Sequence, residues 1–395
     1  MPRYGLVLAG LGLGQLFVWA AFYYAFSSFL LPMQAELGWS QPLLSGAFSL
    51  GLAVWAMASF AVGVAIDRGR GPAVMTLGPA LGGLGFLLWS AATSPPVLYA
   101  AWALIGIAMA MTLYEPAFTI LTRLYPGRFR RGITALTLVG GFASTLAYPA
   151  AAGLIAGLGW RWALAAIGLF LIVVVAPLHF AVLKGGGGIA PDPEDEGGPT
   201  RPQRGLSLAE ARATGAFWFL GACFALYYFA TAALWAHVVP VLAGKGFSGG
   251  AELVVLVWIG PAQVAGRLLF AAFGAQADAR RLGLLVLAAL PVSLALFALA
   301  RELWQLVLFA VLFGACNGVV SLIRGSLLPA YFGRASLGRI AGALSAAALA
   351  ARAVGPLAAA GVLVLAGGYG WVLATLAGAG AAAVVALALA RPPRR

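Results

Sequence analysis

Apolar stretches of about twenty residues, separated by short polar or Gly/Pro connections, run along almost the whole chain. A helix needs about 20 apolar residues to cross the hydrocarbon core of a bilayer. The pattern predicts twelve such helices, near residues 5–33, 42–66, 72–92, 96–122, 131–157, 160–183, 214–242, 251–275, 282–299, 303–324, 338–366 and 369–390. One long polar stretch interrupts the series, starting at Lys184 with KGGGGIAPDPEDEGGPTRPQRG. Its glycines, prolines and acidic run predict a flexible linker. The expected layout is a six-helix bundle over 1–183, a cytoplasmic linker over 184–213 and a second six-helix bundle over 214–395. Ser207 and Glu210 have the spacing of a capping box, so a helix is expected to begin there.

Composition supports an all-α integral membrane protein. Of the 395 residues 63% are hydrophobic and only 9% charged, against about 25% charged in a soluble domain. The first apolar run is far longer than the 7–15 residues, roughly, of a signal-peptide core, so it is read as a spanning helix. The net charge of +13 would suggest nucleic acid in a soluble protein. Placed on the twelve-span layout with a cytoplasmic N-terminus, however, the 24 basic residues divide as 19 inside, 3 outside (Arg161, Lys245 and Arg301) and 2 within spans. That asymmetry obeys the positive-inside rule and makes nucleic-acid binding unnecessary. The only two cysteines, Cys223 and Cys316, lie in apolar runs and imply no disulfide framework. No clustering of His, Cys or carboxylates suggests a metal, and no cofactor is implied.

The two halves resemble each other. GVAIDRGR from Gly63 recurs as GAQADARR from Gly274, and GWRWALA from Gly159 as GWVLATL from Gly370, both at an offset of 211 residues (274 − 63 and 370 − 159). An internal six-plus-six repeat marks parallel-repeat transporters, in which the substrate site is expected near the midplane at the repeat interface. With its twelve spans, central linker and Asp-Arg-Gly-Arg loop after span two, the chain resembles the major facilitator superfamily. The loop is one residue shorter than the family pattern and lacks its last basic residue. The resemblance implies gating contacts at the cytoplasmic helix ends by Asp67, Arg68 and Arg70, and by Asp278, Arg280 and Arg281.

Within that superfamily, IGPAQVAGR from Ile259 is similar to the eighth span of monocarboxylate transporters, which implies a carboxylate-binding role for Arg267. Gln263 stands where those proteins carry an aspartate. The YAF of Tyr24–Phe26 is similar to their first span, although Ser28 replaces an expected lysine. Arg352 in span eleven matches the basic residue that a related bacterial oxalate exchanger pairs with one in span eight.

Ionisable residues well inside spans are few: Glu115, His237, Arg267 and Arg352, with His179 near the inner end of span six. A charge at bilayer depth costs at least ~2.5 kcal/mol, so each needs a partner or a cavity. Two guanidinium groups suit a carboxylate. Glu115, followed by Pro116, is expected to relay a proton, to act as counter-ion to Arg267 or Arg123, or to be a structural polar group. His237 could sense protons, touch substrate or be a satisfied polar group. Tyr24 and Tyr114 stand out among the cavity aromatics, and Gln263 and Asn317 are uncharged polar groups in apolar spans.

These residues predict a secondary transporter of small organic anions, monocarboxylates first, working by alternating access with a possible coupled proton. It is expected as a monomer in a bacterial inner membrane with both termini cytoplasmic. The competing expectation is drug or cation efflux by proton antiport. The linker has no nucleotide-binding loop, and the spans hold no Ser–His, paired-Asp or HExxH constellation, so no enzyme is expected.

Overall fold

The computed structural model describes residues 4–184, 205–274, 277–333 and 335–393. Most of the predicted linker (185–204), part of the GAQADARR repeat (Ala275 and Gln276), Arg334 and the chain ends lie outside the described residues, as does the side chain of Arg130.

Among the described residues, ten helical runs are long and apolar enough to cross a membrane. Two of them, Gln41–Ser90 and Arg131–Leu183, contain 50 and 53 residues, more than twice the ~20 a single crossing requires. Both are interrupted at a glycine in the left-handed region, Gly69 (φ 79°) and Gly159 (φ 76°). A side chain at either position would be strained. Dividing the two runs there yields twelve crossing helices (10 + 2). We number them α1 (Tyr4–Leu37), α2 (Gln41–Ala65), α3 (Gly71–Ser90), α4 (Pro95–Leu124), α5 (131–158), α6 (160–183), α7 (Gly215–Gly244), α8 (Ala251–Phe273), α9 (Ala279–Leu299), α10 (Leu303–Phe332), α11 (Leu337–Ala366) and α12 (Tyr369–Leu389).

The chain folds as two compact units, Met1–Glu196 and Gly197–Arg395. In the first, α4 packs against α2 and α3; in the second, α10 packs against α8 and α9. The first unit is filled by aromatic rings. Phe26 stacks on Phe48 at 4.7 Å, and Trp102 meets Phe26 edge-on at 5.3 Å and Trp89 at 4.9 Å. The second has a smaller stack, Phe297 on Phe309 at 4.1 Å. Large apolar side chains such as Phe60, Trp162 and Leu365 point outward. Helices can present such a surface to acyl chains because their backbone groups are satisfied internally.

Local chemistry sets the helix ends. Ser40 caps α2 by accepting from the Leu43 amide, Thr214 caps α7 through the Phe217 amide, and Asp278 caps α9 through the Arg281 amide at 2.8 Å. The expected capping box is present. Ser207 accepts from the Glu210 amide, and the Glu210 carboxylate accepts from the Ser207 amide at 2.7 Å, opening a short turn at Leu208–Arg212.

Candidate functional site

In the second unit, polar groups from three helices form a hydrogen-bonded chain, and an arginine of a fourth lies beside it. The Tyr227 hydroxyl of α7 donates to Asn317 Oδ1 of α10 at 3.0 Å, and Asn317 Nδ2 donates to Gln263 Oε1 of α8 at 3.2 Å. One helical turn beyond Gln263, Arg267 Nε donates to the Gly318 carbonyl at 3.1 Å, next to Asn317. Arg352 of α11 lies 4.4 Å above the ring of Tyr228, whose neighbour Tyr227 begins the chain. A cation–π contact between half-buried groups is worth about 0.5–2 kcal/mol. Of the expected substrate residues, Gln263 and Asn317 thus share one hydrogen-bonded chain with Tyr227, while Arg267 contacts the backbone beside Asn317 and Arg352 the ring beside Tyr227.

Gln263 is where that chain ends. Its carbonyl is used by Asn317, while its amide nitrogen is fully buried with no hydrogen-bond partner among the described residues. A buried donor left unsatisfied costs about 1–3 kcal/mol. A ligand oxygen would relieve that cost.

His237 bridges two helices. Its Nε2 bonds the Pro356 carbonyl of α11 at 3.0 Å, and its ring faces Tyr369 at 6.2 Å. The residue therefore ties α7 to α11.

In the first unit, α1 carries a π-helical turn at Ala20–Tyr24 that places Tyr23 and Tyr24 inward. Such turns often accompany functional sites. Tyr24 and Tyr114 are brought to the same indole: Trp19 lies 4.9 Å from Tyr114, 6.4 Å from Tyr24 and 5.4 Å from Tyr23. Helix α4 breaks at Leu113, whose ψ of −168° is extended. The cause lies three residues on, because the Pro116 ring collides with the carbonyl four residues before it and supplies no amide. That carbonyl belongs to Thr112, and Gln15 Nε2 takes it at 2.6 Å. Gln15 in turn accepts from the Trp19 indole at 3.2 Å. Gln15 and Trp19 were missed as candidates, although a glutamine inside an apolar run is itself a signal.

Glu115 departs from expectation. It follows the break in α4 directly and is exposed rather than buried. Nor is it the counter-ion of Arg123, which pairs with Asp67 instead and also donates to the Ile66 carbonyl at 3.0 Å. Among the described residues the Glu115 carboxylate makes no hydrogen bond or ion pair.

The loop residues divide by half. Asp67 joins the α2–α3 connection to the end of α4, while Arg68 and Arg70 are exposed beside it. In the second unit Asp278 is spent on capping α9, Arg280 donates to the Ala388 carbonyl at the end of α12, and Arg281 is exposed. Two of the three basic residues predicted outside cover helix-end carbonyls. Arg161 donates to Ser90 and Ala92 at 2.8 and 3.0 Å, with Glu36 as its ion-pair partner at 2.8 Å. Lys245 donates to Ala298 and Ala300 at 2.8 and 3.0 Å. Cations at helix C-termini complement both the free carbonyls and the helix dipole.

These features define a polytopic α-helical membrane protein with buried polar networks inside its helix bundles. Residues 11–300 match the Major Facilitator Superfamily, and the chain belongs to that family. It is a multi-pass membrane transporter with a small-molecule substrate. No curated protein matches the sequence. Among solved structures, the chain is similar to a bacterial homolog of the human lysosomal transporter Spinster in an inward-facing, unoccupied conformation. The TM-score is 0.69 at 17% identity, covering 99% of this chain and 96% of that one. It is also similar to a point mutant of the nucleoside transporter NupG, with a TM-score of 0.73 at 13% identity, covering 98% and 99%. At these identities the likeness is one of fold.

Proposed function

We propose that this transporter carries small organic anions, monocarboxylates first, by alternating access driven by the substrate gradient or a coupled proton. The observation that carries the reading is the Gln263 amide, a buried donor without an acceptor among the described residues, one turn from Arg267. A carboxylate supplies two acceptor oxygens and a charge suited to a guanidinium fork. Arg352 adds a second positive charge beside Tyr228, and the Tyr227–Asn317 chain orients the Gln263 amide. The distribution of basic residues supports cytoplasmic termini, the membrane is taken to be a bacterial inner membrane, and a monomer suffices for the mechanism.

Thermal unfolding of the purified protein against carboxylates, phosphorylated acids and lipophilic cations tests this. A ligand at 100 times its Kd stabilises the folded state by about 2.7 kcal/mol. Stabilisation by a small carboxylate, lost in both Arg267→Ala and Gln263→Leu, is the expected result. Stabilisation by cations alone, undiminished in Arg267→Ala, overturns it.

The second reading, drug or cation efflux by proton antiport, is favoured by one feature of the first unit. The exposed Glu115 carboxylate adjoins Tyr114, which packs on Trp19, and aromatic faces beside a carboxylate suit an organic cation. In that case Glu115→Gln removes the stabilisation by cations.

A further inference from the structure

A cavity of about 530 Å³ opens in the second unit, away from the polar chain of Gln263 and Arg267. Its walls are the small residues Gly221 and Ala225 of α7 and Ala343 and Ala347 of α11, and Arg212 and Trp218 stand at its rim. The walls offer no polar group to a water-soluble ligand. They do offer a slot lined by small apolar side chains, the chemistry of a hydrocarbon chain's surroundings.

The rim has the opposite character. Arg212 ends the capped turn Leu208–Arg212, and its guanidinium is exposed with no hydrogen bond or ion pair among the described residues. Trp218 is 65% exposed, and its indole donates to the Arg212 carbonyl at 2.9 Å. An outward tryptophan with its N–H tied to a polar loop is the arrangement of a membrane–water interface. The turn is also anchored. The Leu206 amide donates to the Phe332 carbonyl at the end of α10 at 2.8 Å, beside the Gly205–Gly333 bridge. Arg212 is therefore presented at a fixed place above the slot, on the face where the basic residues of the chain concentrate.

A cation over an apolar slot at the interface complements one kind of molecule. We propose that this cavity is a binding site for an anionic phospholipid, with an acyl chain between α7 and α11 and the phosphate against Arg212. The lipid would join the capped turn to the two helices that carry Tyr228 and Arg352. Basic pockets between helices on the cytoplasmic side bind lipid headgroups by this combination of charge and apolar contact.

The test uses Trp218 as its reporter. The full-length protein is reconstituted in phosphatidylcholine vesicles containing 5 mol% (about one lipid in twenty) of bromine-labelled phosphatidylglycerol or, in parallel, bromine-labelled phosphatidylcholine. Subtracting the signal of the Trp218→Phe protein isolates quenching at the site. One basic residue near the surface favours an anionic lipid about five-fold. The expected result is several-fold stronger quenching by labelled phosphatidylglycerol. That preference should vanish in Arg212→Gln, weaken at high salt and survive in Lys184→Gln, which removes a basic residue at the end of α6. Equal quenching by the two lipids in the wild type, or a preference that persists in Arg212→Gln, overturns the proposal.

Discussion

The α2–α4 crossing of the first unit and the α8–α10 crossing of the second share a packing solution and differ in chemistry. In each, a glycine brings two backbones together. A Cβ on Gly106 would overlap the Gly51 carbonyl, and one on Gly318 would overlap the Gln263 carbonyl. Small residues at such crossings are the usual way for membrane helices to gain dispersion contacts. At the repeat offset of 211, however, Gln263 and Arg267 correspond to Leu52 and Ala56 (263 − 211 and 267 − 211). One crossing is apolar and leans on Trp102; the other carries an arginine, a glutamine and an asparagine. Packing alone can build the crossing without polar groups. The polar groups of the second unit therefore call for an explanation other than stability.

The largest expected effect comes from breaking what the crossings share. Gly106→Ala and Gly318→Ala should each destabilise the protein by about 1–3 kcal/mol, the usual cost of overpacking, read as a lower midpoint of thermal unfolding. If only one of the two responds, the crossings are not equivalent. The next effect comes from removing what they do not share. Replacing Gln263 and Arg267 together by Leu and Met makes the second crossing resemble the first. Buried polar groups replaced by apolar ones of similar volume are often neutral or stabilising, so the unfolding midpoint should hold while ligand stabilisation, about 2.7 kcal/mol at 100 times Kd, disappears. A large loss of stability instead would make Gln263 and Arg267 structural.

The loops offer the same contrast on a smaller scale. Asp67 and Arg123 form an ion pair across helices, with side chains 66% and 47% exposed. Exposed pairs are worth about 0–1 kcal/mol, little enough to break during a conformational cycle. Asp278 caps its own helix, where replacement by Ala costs about 1 kcal/mol. Asp278→Ala should therefore lower the unfolding midpoint more than Asp67→Ala, and Asp67→Ala should alter the transport rate more. The reverse ordering in paired melting and uptake assays would remove the gating role of Asp67.

Sequence reading recovered the twelve helices because bilayer thickness imposes a length and composition that hydropathy reports directly. It recovered the Ser207 cap because a capping box is local. What it missed depends on geometry between helices. Pro116 announced a weak point in α4, but only the fold reveals that the freed Thr112 carbonyl meets Gln15. Glu115 looked buried because its neighbours are apolar, yet the break at Leu113 leaves it exposed. Arg123 could have met either acid; the short reach to the α2–α3 connection chose Asp67. Gln263 and Asn317 were legible as polar oddities. Their bond to each other and to Tyr227 was not, since three separate helices supply the partners.

The smallest effect concerns the entry to the second unit. The Glu210 carboxylate is held below the ordinary carboxylate range, first by the Ser207 backbone amide and then by the Ser207 side chain. A group whose pKa is lower in the folded state stabilises that state above its unfolded pKa and loses the contribution as pH falls through the folded value. Wild type should therefore melt above Glu210→Gln at neutral pH, and the gap should close on acidification below the ordinary carboxylate range. Because Glu210 is fully exposed, the gap should be small and should also shrink in high salt. Phe217, which follows the turn, lines the cavity beside Arg212. Loosening the turn should therefore also blunt the preference of Trp218 for labelled phosphatidylglycerol. A Glu210→Gln protein that melts lower at neutral pH yet keeps its full lipid preference would show that Arg212 acts without the capped turn.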